Sequence, residues 1–169
     1  METEFEMDVR RFLAGEPFGY RGIGRDDLQL FCSALTHDSF VNEPMAGGVR
    51  RKDVSYERLE FLGDAVLELI ACGDAYYDPG LATEGAMTDF KQARVANHVL
   101  SEAVLRSGVD IDGMMRVGGG HVRSDGSKSI EEDMRADSFE AILGAVYLVF
   151  GLDEARNVVH RLDWGQSER

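Results

Sequence analysis

Residues 56–69 are the run Tyr56-Glu57-Arg58-Leu59-Glu60-Phe61-Leu62-Gly63-Asp64-Ala65-Val66-Leu67-Glu68-Leu69. Its apolar and acidic residues recur with a helical period. Positions three and seven apart fall on one stripe of a helix, so Glu57, Glu60 and Asp64 form an acidic row. Leu59, Phe61, Leu62, Val66 and Leu69 predict that much of the same helix is buried. Burying even one unpaired carboxylate is unfavourable, and such a group takes up a proton unless a cation compensates it. The row is therefore either a solvated edge or half of a metal site.

A second acidic pair stands on another apolar helix, Asp137-Ser138-Phe139-Glu140-Ala141-Ile142-Leu143-Gly144-Ala145-Val146-Tyr147. Asp137 and Glu140 are three apart and share a face. Gly144, on that face, leaves a notch where a second helix can approach closely, because glycine has no Cβ. Two acidic helix faces can meet there. Four oxygen-donor side chains, with no His or Cys pattern beside them, favour a hard hydrated ion, Mg²⁺ or Mn²⁺, over zinc.

These residues carry a resemblance to the endonuclease domain of the ribonuclease III family. The run from Glu57 to Leu69 resembles the family's most specific motif, and Ala34-Leu35-Thr36-His37-Asp38-Ser39-Phe40-Val41-Asn42-Glu43 resembles the segment that precedes it. Asp137-Ser138-Phe139-Glu140-Ala141 resembles the second acidic motif, in the expected order. Tyr56 stands where many members have Asn. The resemblance implies an all-α catalytic domain over residues 1–169, with its core at about 4–163 and no double-stranded-RNA-binding domain. It implies an obligate-type homodimer with a catalytic site in each half. It assigns Glu60, Asp64, Asp137 and Glu140 as the metal-holding catalytic set, Glu57 and Glu84 as auxiliary acids, and Phe61 as a knob entering the partner subunit. The implied activity is Mg²⁺-dependent hydrolysis of both strands of double-stranded RNA, leaving short 3′ overhangs, in RNA processing that includes rRNA, with Mn²⁺ as a substitute ion. Two rival readings are an all-α nucleotide pyrophosphohydrolase and a non-cleaving RNA-binding or ribosome-associated module. The wide separation of Glu60 from Asp137 fits the first poorly, and the intact carboxylates count against the second.

The chain has 169 residues, which is one domain by length. Its two cysteines, Cys32 and Cys72, make no disulfide framework; each sits in an apolar helical pattern that predicts a buried, reduced thiol and a cytoplasmic setting. The longest apolar run, Ala141 to Phe150, falls well short of the roughly 20 residues that span a bilayer, so no membrane association is expected. A formal charge of −13 opposes RNA binding by simple attraction. RNA must then be held through bound divalent ions, through the dense basic run Arg50-Arg51-Lys52, or through an accessory RNA-binding protein.

Along the chain, Phe5, Val9, Phe12 and Leu13 predict a first helix between Met1 and Gly15. Asp26 or Asp27 is placed to cap a second helix, from Leu28 to about Leu35. His37 either contacts RNA or is satisfied in a local hydrogen-bond network. Residues 42–55, with Pro44, Gly47 and Gly48, read as a mobile loop, and Ser55 as the N-cap of a helix from Tyr56 to about Tyr77. Asp78-Pro79-Gly80 stops that helix. Glu84-Gly85-Ala86-Met87-Thr88 opens the next one, and Asn97 caps a further helix to Arg106. Residues 108–127, rich in glycine and carrying His121 and Arg123, read as a flexible connector. Ser129 and Glu132 form a capping box for a helix from about Ile130 to Phe150. Gly151 ends it, and Asp153 caps a last helix through Leu162. No strand-like alternation occurs.

Overall fold

In a computed structural model the described residues are 2–162, so the predicted domain limits at residue 1 and over 163–169 lie outside them. The described residues fold into helices α1 (Glu4–Ala14), α2 (Arg25–Ala34), α3 (Asp38–Asn42), α4 (Glu57–Tyr77), α5 (Glu84–Val95), α6 (Asn97–Ser107), α7 (Ile111–Met114), α8 (Glu132–Phe150) and α9 (Leu152–Arg161). A 3-10 turn spans Gly119–His121. Extended pairing among these residues is confined to two isolated bridges, Thr36 with Arg116 and Val122 with Lys128.

The axle of the fold is α8. Met134, Ala136, Phe139, Ala141, Ile142, Leu143, Ala145 and Val146 are all buried, which is the signature of a helix surrounded by others. It packs against α4 along its length and against α2, α6 and α9 on its remaining sides. Leu59, Val66, Leu67, Ile70, Ala71 and Ala75 of α4 face this core. Phe61 and Leu69, predicted as buried, point outward instead, with 82% and 54% of their surface exposed.

Where α4 crosses α8 the two backbones touch. A Cβ built on Gly63 would lie 1.7 Å from the Glu140 carbonyl oxygen, and one built on Gly144 would lie 2.4 Å from that of Leu59. The notch at Gly144 is thus real, and Gly63 supplies its counterpart.

Several local expectations are corrected. Helix α2 begins at Arg25 behind Gly24, with neither Asp26 nor Asp27 as the cap. Tyr56 occupies the N-cap of α4, while the Ser55 hydroxyl donates to the Glu57 carboxylate at 2.9 Å. Asn97 lies inside α6 and donates to Asp133 at 2.9 Å. Helix α8 starts behind Glu131 without a side-chain cap, and Ser129 accepts from Arg123. Gly151, at φ 88°, both ends α8 and precedes α9, leaving Asp153 inside the last helix. Cys32 is buried as expected, but Cys72 is exposed.

The glycine-rich connector is tied down by long-range contacts. The Lys128 ammonium donates to the carbonyls of Gly113 and Met115 at 2.6 and 2.7 Å. The Gly118 amide donates to the Ser39 hydroxyl, and the Gly119 amide to the Glu43 carboxylate. Arg116 joins three segments: it donates to the Thr36 hydroxyl, pairs with Asp53 at 2.8 Å, and lies 4.0 Å above the Phe5 ring. No helix among the described residues is long and apolar enough to cross a membrane.

The crossing makes a paired prediction. Gly63→Ala drives a methyl group into main-chain atoms, so we expect a loss of about 3 kcal/mol or more, beyond ordinary overpacking. Gly73→Ala, on the same helix, meets only the flexible end of Arg156 at 3.7 Å. It should gain up to about 1 kcal/mol from helix propensity. Urea melts of the two variants check both signs.

Candidate metal centre

The acids of the two helices meet beside the glycine crossing. Carboxylate oxygens of Glu60 from α4 and of Asp137 and Glu140 from α8 all lie within 4.8 Å of one another. Glu140 retains 4% of its exposure, because Gly63 lets its backbone lie directly against α4. Glu60 and Asp137 are half-buried, so the group opens to solvent on one side.

Burial and mutual repulsion hold protons on this group. Burial, with Asp64, Asp137 and Glu60 nearby, pushes the Glu140 carboxyl up to about 8. Glu60 is raised by burial and then by Asp137, Glu57 and Asp64. Asp137 is raised by burial and Asp133, with the Tyr56 hydroxyl acting in the other direction. Asp64 is raised by burial and by Glu68, with Lys91 acting in the other direction. Ion pairs among the described residues engage none of Glu60, Asp64, Asp137 and Glu140. Crowded carboxylates without a protein cation are the electrostatic condition that a bound cation relieves. With oxygen donors only, the set suits a hard divalent ion.

The other predicted residues fall at graded distances from this centre. Asp64 is exposed and outside the group of three, yet its charge is the foremost of those acting on Glu140. Glu57 is exposed and engaged by Ser55. Glu84 opens α5 and lines a cavity of about 330 Å³ with Cys72, Ala75, Tyr76, Met87, Thr88 and Lys91, away from the three carboxylates. Arg50, Arg51 and Lys52 lie on the segment between α3 and α4.

His37 serves as N-cap of α3. Its Nδ1 accepts from the Ser39 amide at 3.1 Å, so this nitrogen bears no proton and the neighbouring Asp38 carboxylate forms no true ion pair with it. Its ring stands edge-on to Tyr56 and to His121, with centroids 5.4 and 5.3 Å away.

Two residues absent from the sequence-based set belong beside the centre. Tyr56 is buried, with its hydroxyl near Asp137. Lys91 on α5 pairs with Glu68 at 3.1 Å and is the cation acting on Asp64. A tyrosine directly before the acidic row was the available signal for the first; Lys91 had none, because only tertiary packing brings α5 beside α4.

The family model described as Ribonuclease-III-like matches residues 27–163. Among curated relatives, the protein named Ribonuclease 3 from Pseudomonas fluorescens (strain Pf0-1) is 38% identical over 143 residues, covering 84% of this chain and 55% of that protein. The Ribonuclease 3 of Bifidobacterium longum (strain NCC 2705) is 36% identical over 133 residues, covering 79% of this chain and 51% of the relative. The chain thus spans about half the length of the curated relatives it matches. Two solved structures of the nuclease domain of ribonuclease III from Campylobacter jejuni share the fold. One aligns with a TM-score of 0.69 at 24% identity over 99% of this chain and all of that one. The other, noted for flexibility in the region involved in dimer formation, aligns with a TM-score of 0.67 at 25% identity over 94% and 92% of the two chains. Both acidic helices lie within the matched span, and the chain belongs to the ribonuclease-III-like family.

Proposed function

We propose that the chain is a divalent-metal-dependent endoribonuclease that cuts both strands of double-stranded RNA as a homodimer. Short 3′ overhangs, a role in RNA processing that includes rRNA, and a cytoplasmic setting are parts of the same reading. One observation carries it: Glu60, Asp137 and Glu140 converge, with no ion-paired cation among the described residues, on the two helices that the family match includes.

In this reading Glu60, Asp137 and Glu140 hold Mg²⁺, or Mn²⁺ in its place. When bound, such an ion neutralises phosphoryl charge and lowers the pKa of a water. The protein's own part is to hold the ligands. Gly63 and Gly144 fix the spacing of the helices, and the Tyr56 hydroxyl favours the charged form of Asp137. Asp64, exposed one turn past Glu60, offers a carboxylate to a water at the open side. Glu57 and Glu84 are assigned auxiliary roles. The dimer contact is assigned to the outer face of α4, where Phe61, Leu69 and Tyr76 are 82%, 54% and 73% exposed and recur at helical spacing.

Incubation of the protein with long double-stranded RNA tests the reading. Short duplex products are expected with Mg²⁺ and none in EDTA. Glu140→Gln keeps the side-chain volume and the fold but removes an anionic ligand, so cleavage should fall by at least about a hundredfold, as for loss of a charge-stabilising group. Undiminished cleavage by Glu140→Gln, or none by the parent with either ion, would reject the proposal.

Stability should report the same group. The folded-state pKa of Glu140 lies at about 8, above its ordinary 4.5, so the folded protein binds this proton more tightly than the unfolded chain does. In EDTA the contribution is fully present below about pH 4.5 and is lost as pH rises towards 8, with a slope of up to roughly 1.4 kcal/mol per pH unit. The upward shifts of Glu60, Asp64 and Asp137 act in the same direction. Added Mg²⁺ at pH 8 should raise Tm in the parent, whereas Glu140→Gln should show a flatter pH profile and little response to the ion.

For the dimer, Phe61→Ala removes an anchoring aromatic contact, and a loss of about 2 kcal/mol or more is expected in the association energy. Sedimentation equilibrium reads it directly. A dimer as tight as the parent's would place the contact elsewhere.

A further inference from the structure

The segment between α3 and α4 is held in place by specific contacts. The Met45 amide donates to the Val49 carbonyl at 2.9 Å, closing a tight turn, and Asp53 pairs with Arg116 at 2.8 Å. Between these anchors Arg51 folds back over α3, with its Cζ 4.0 Å from the centroid of the Phe40 ring. Arg116 reaches the same ring, at 4.7 Å. Two guanidinium groups therefore share one phenyl ring. Asp53 neutralises the charge of Arg116; no ion pair among the described residues neutralises Arg51.

Arg51 also carries a donor with nothing to receive it. Its Nε is buried and has no hydrogen-bond partner. Buried donors of this kind are rare in folded proteins, and a charged one is rarer. The same residue, with Val41, Asn42 and Arg50, lines a cavity of about 170 Å³. Val41, Asn42, Arg50 and Arg51 thus line a space below the roughly 300 Å³ at which pockets for whole small molecules begin. Such a space takes one compact anion with several acceptor oxygens. Guanidinium forks match phosphate in a bidentate manner, and stacking on an aromatic ring pre-orients the fork.

We propose that this cavity binds one backbone phosphate of the double-stranded RNA and so sets the position of the duplex against the acidic group. That the phosphate comes from RNA rests on the endoribonuclease reading; that the cavity takes phosphate does not. The segment leads directly into α4, where the Tyr56 amide donates to the Thr36 carbonyl at 2.9 Å, and Glu60 follows within one turn. A phosphate fixed at Arg51 is thus tied to the catalytic carboxylates through short, ordered backbone. In a chain of net charge −13, it also gives a polyanion a local foothold. Lys52 is exposed, does not line the cavity, and adds only unspecific attraction.

Two arms test this on the full chain. In the first, inorganic phosphate is titrated into metal-free protein while the arginine Nε–H resonances are followed by NMR. The Arg51 signal should shift saturably, and Arg50→Gln and Arg51→Gln should each weaken binding about tenfold, as for a lost charge-assisted hydrogen bond. Arg58→Gln, outside the cavity, should leave it unchanged. Should Arg51→Gln fail to fold, Arg51→Lys keeps the charge without the fork and should bind phosphate severalfold more weakly. A resonance unmoved at saturating phosphate overturns the site.

In the second arm, double-stranded RNA is titrated into Glu140→Gln protein in Ca²⁺ at several salt concentrations. Arg51→Gln should lower affinity about tenfold and make the slope of log K against log salt shallower by about 0.9 for each cavity engaged. Phosphate binding with unchanged RNA affinity and slope assigns the cavity to free phosphate and overturns the RNA source. A parent protein that neither binds nor cuts double-stranded RNA, yet still shows the Arg51 shift, defeats the endoribonuclease reading while the phosphate site stands.

Discussion

The contact of Gly63 with Gly144 is the constraint on which the remaining structure depends. Helix axes usually stay 8–10 Å apart because side chains hold them there. Here main chain meets main chain, as the 1.7 and 2.4 Å approaches of hypothetical Cβ atoms show. The approach places Glu140 against α4 almost without solvent, within reach of Glu60 and Asp137. Were the helices farther apart, the same acids would be ordinary surface carboxylates. The apolar burial of α8 on its other sides supplies the force that keeps the contact closed.

Closure concentrates negative charge in a region of low polarity, and no ion pair among the described residues offsets it. The cation nearest in effect, Lys91, which acts on Asp64, is engaged by Glu68. The fold therefore holds an arrangement that is unfavourable when empty and ionised, which is the usual state of affairs at a functional site and uncommon in a structural core. Tyr56 moderates this at Asp137, and solvent moderates it at Asp64.

Much of this was legible in the sequence, and the reasons it was legible are physical. Acids at helical spacing on two apolar helices announced the centre, and Gly144 announced the close approach. Long helices with strong periodicity, α4 and α8, were placed to within a residue or two at their ends. Caps were not, because Ser55, Asn97 and Ser129 each found another partner, in Glu57, Asp133 and Arg123. The connector over residues 108–127 looked flexible because glycine content is local information, whereas the bonds from Lys128 and those to Ser39 and Glu43 cross long stretches of chain. That Asp64 stands outside the inner group of three turns on ångström differences in reach that spacing cannot resolve. The outward faces of Leu69 and Cys72 were misjudged for a related reason: apolar periodicity marks a face that avoids water without saying what covers it.

The bareness of the α4–α8 contact also shapes how the sequence can change. Elsewhere in a core, a larger residue on one side is accommodated by a smaller one opposite, so drift proceeds through compensating pairs. At Gly63 and Gly144 the opposing surface is the peptide backbone itself, which no substitution can trim. A side chain gained at either position therefore meets no neighbour whose shortening would make room for it.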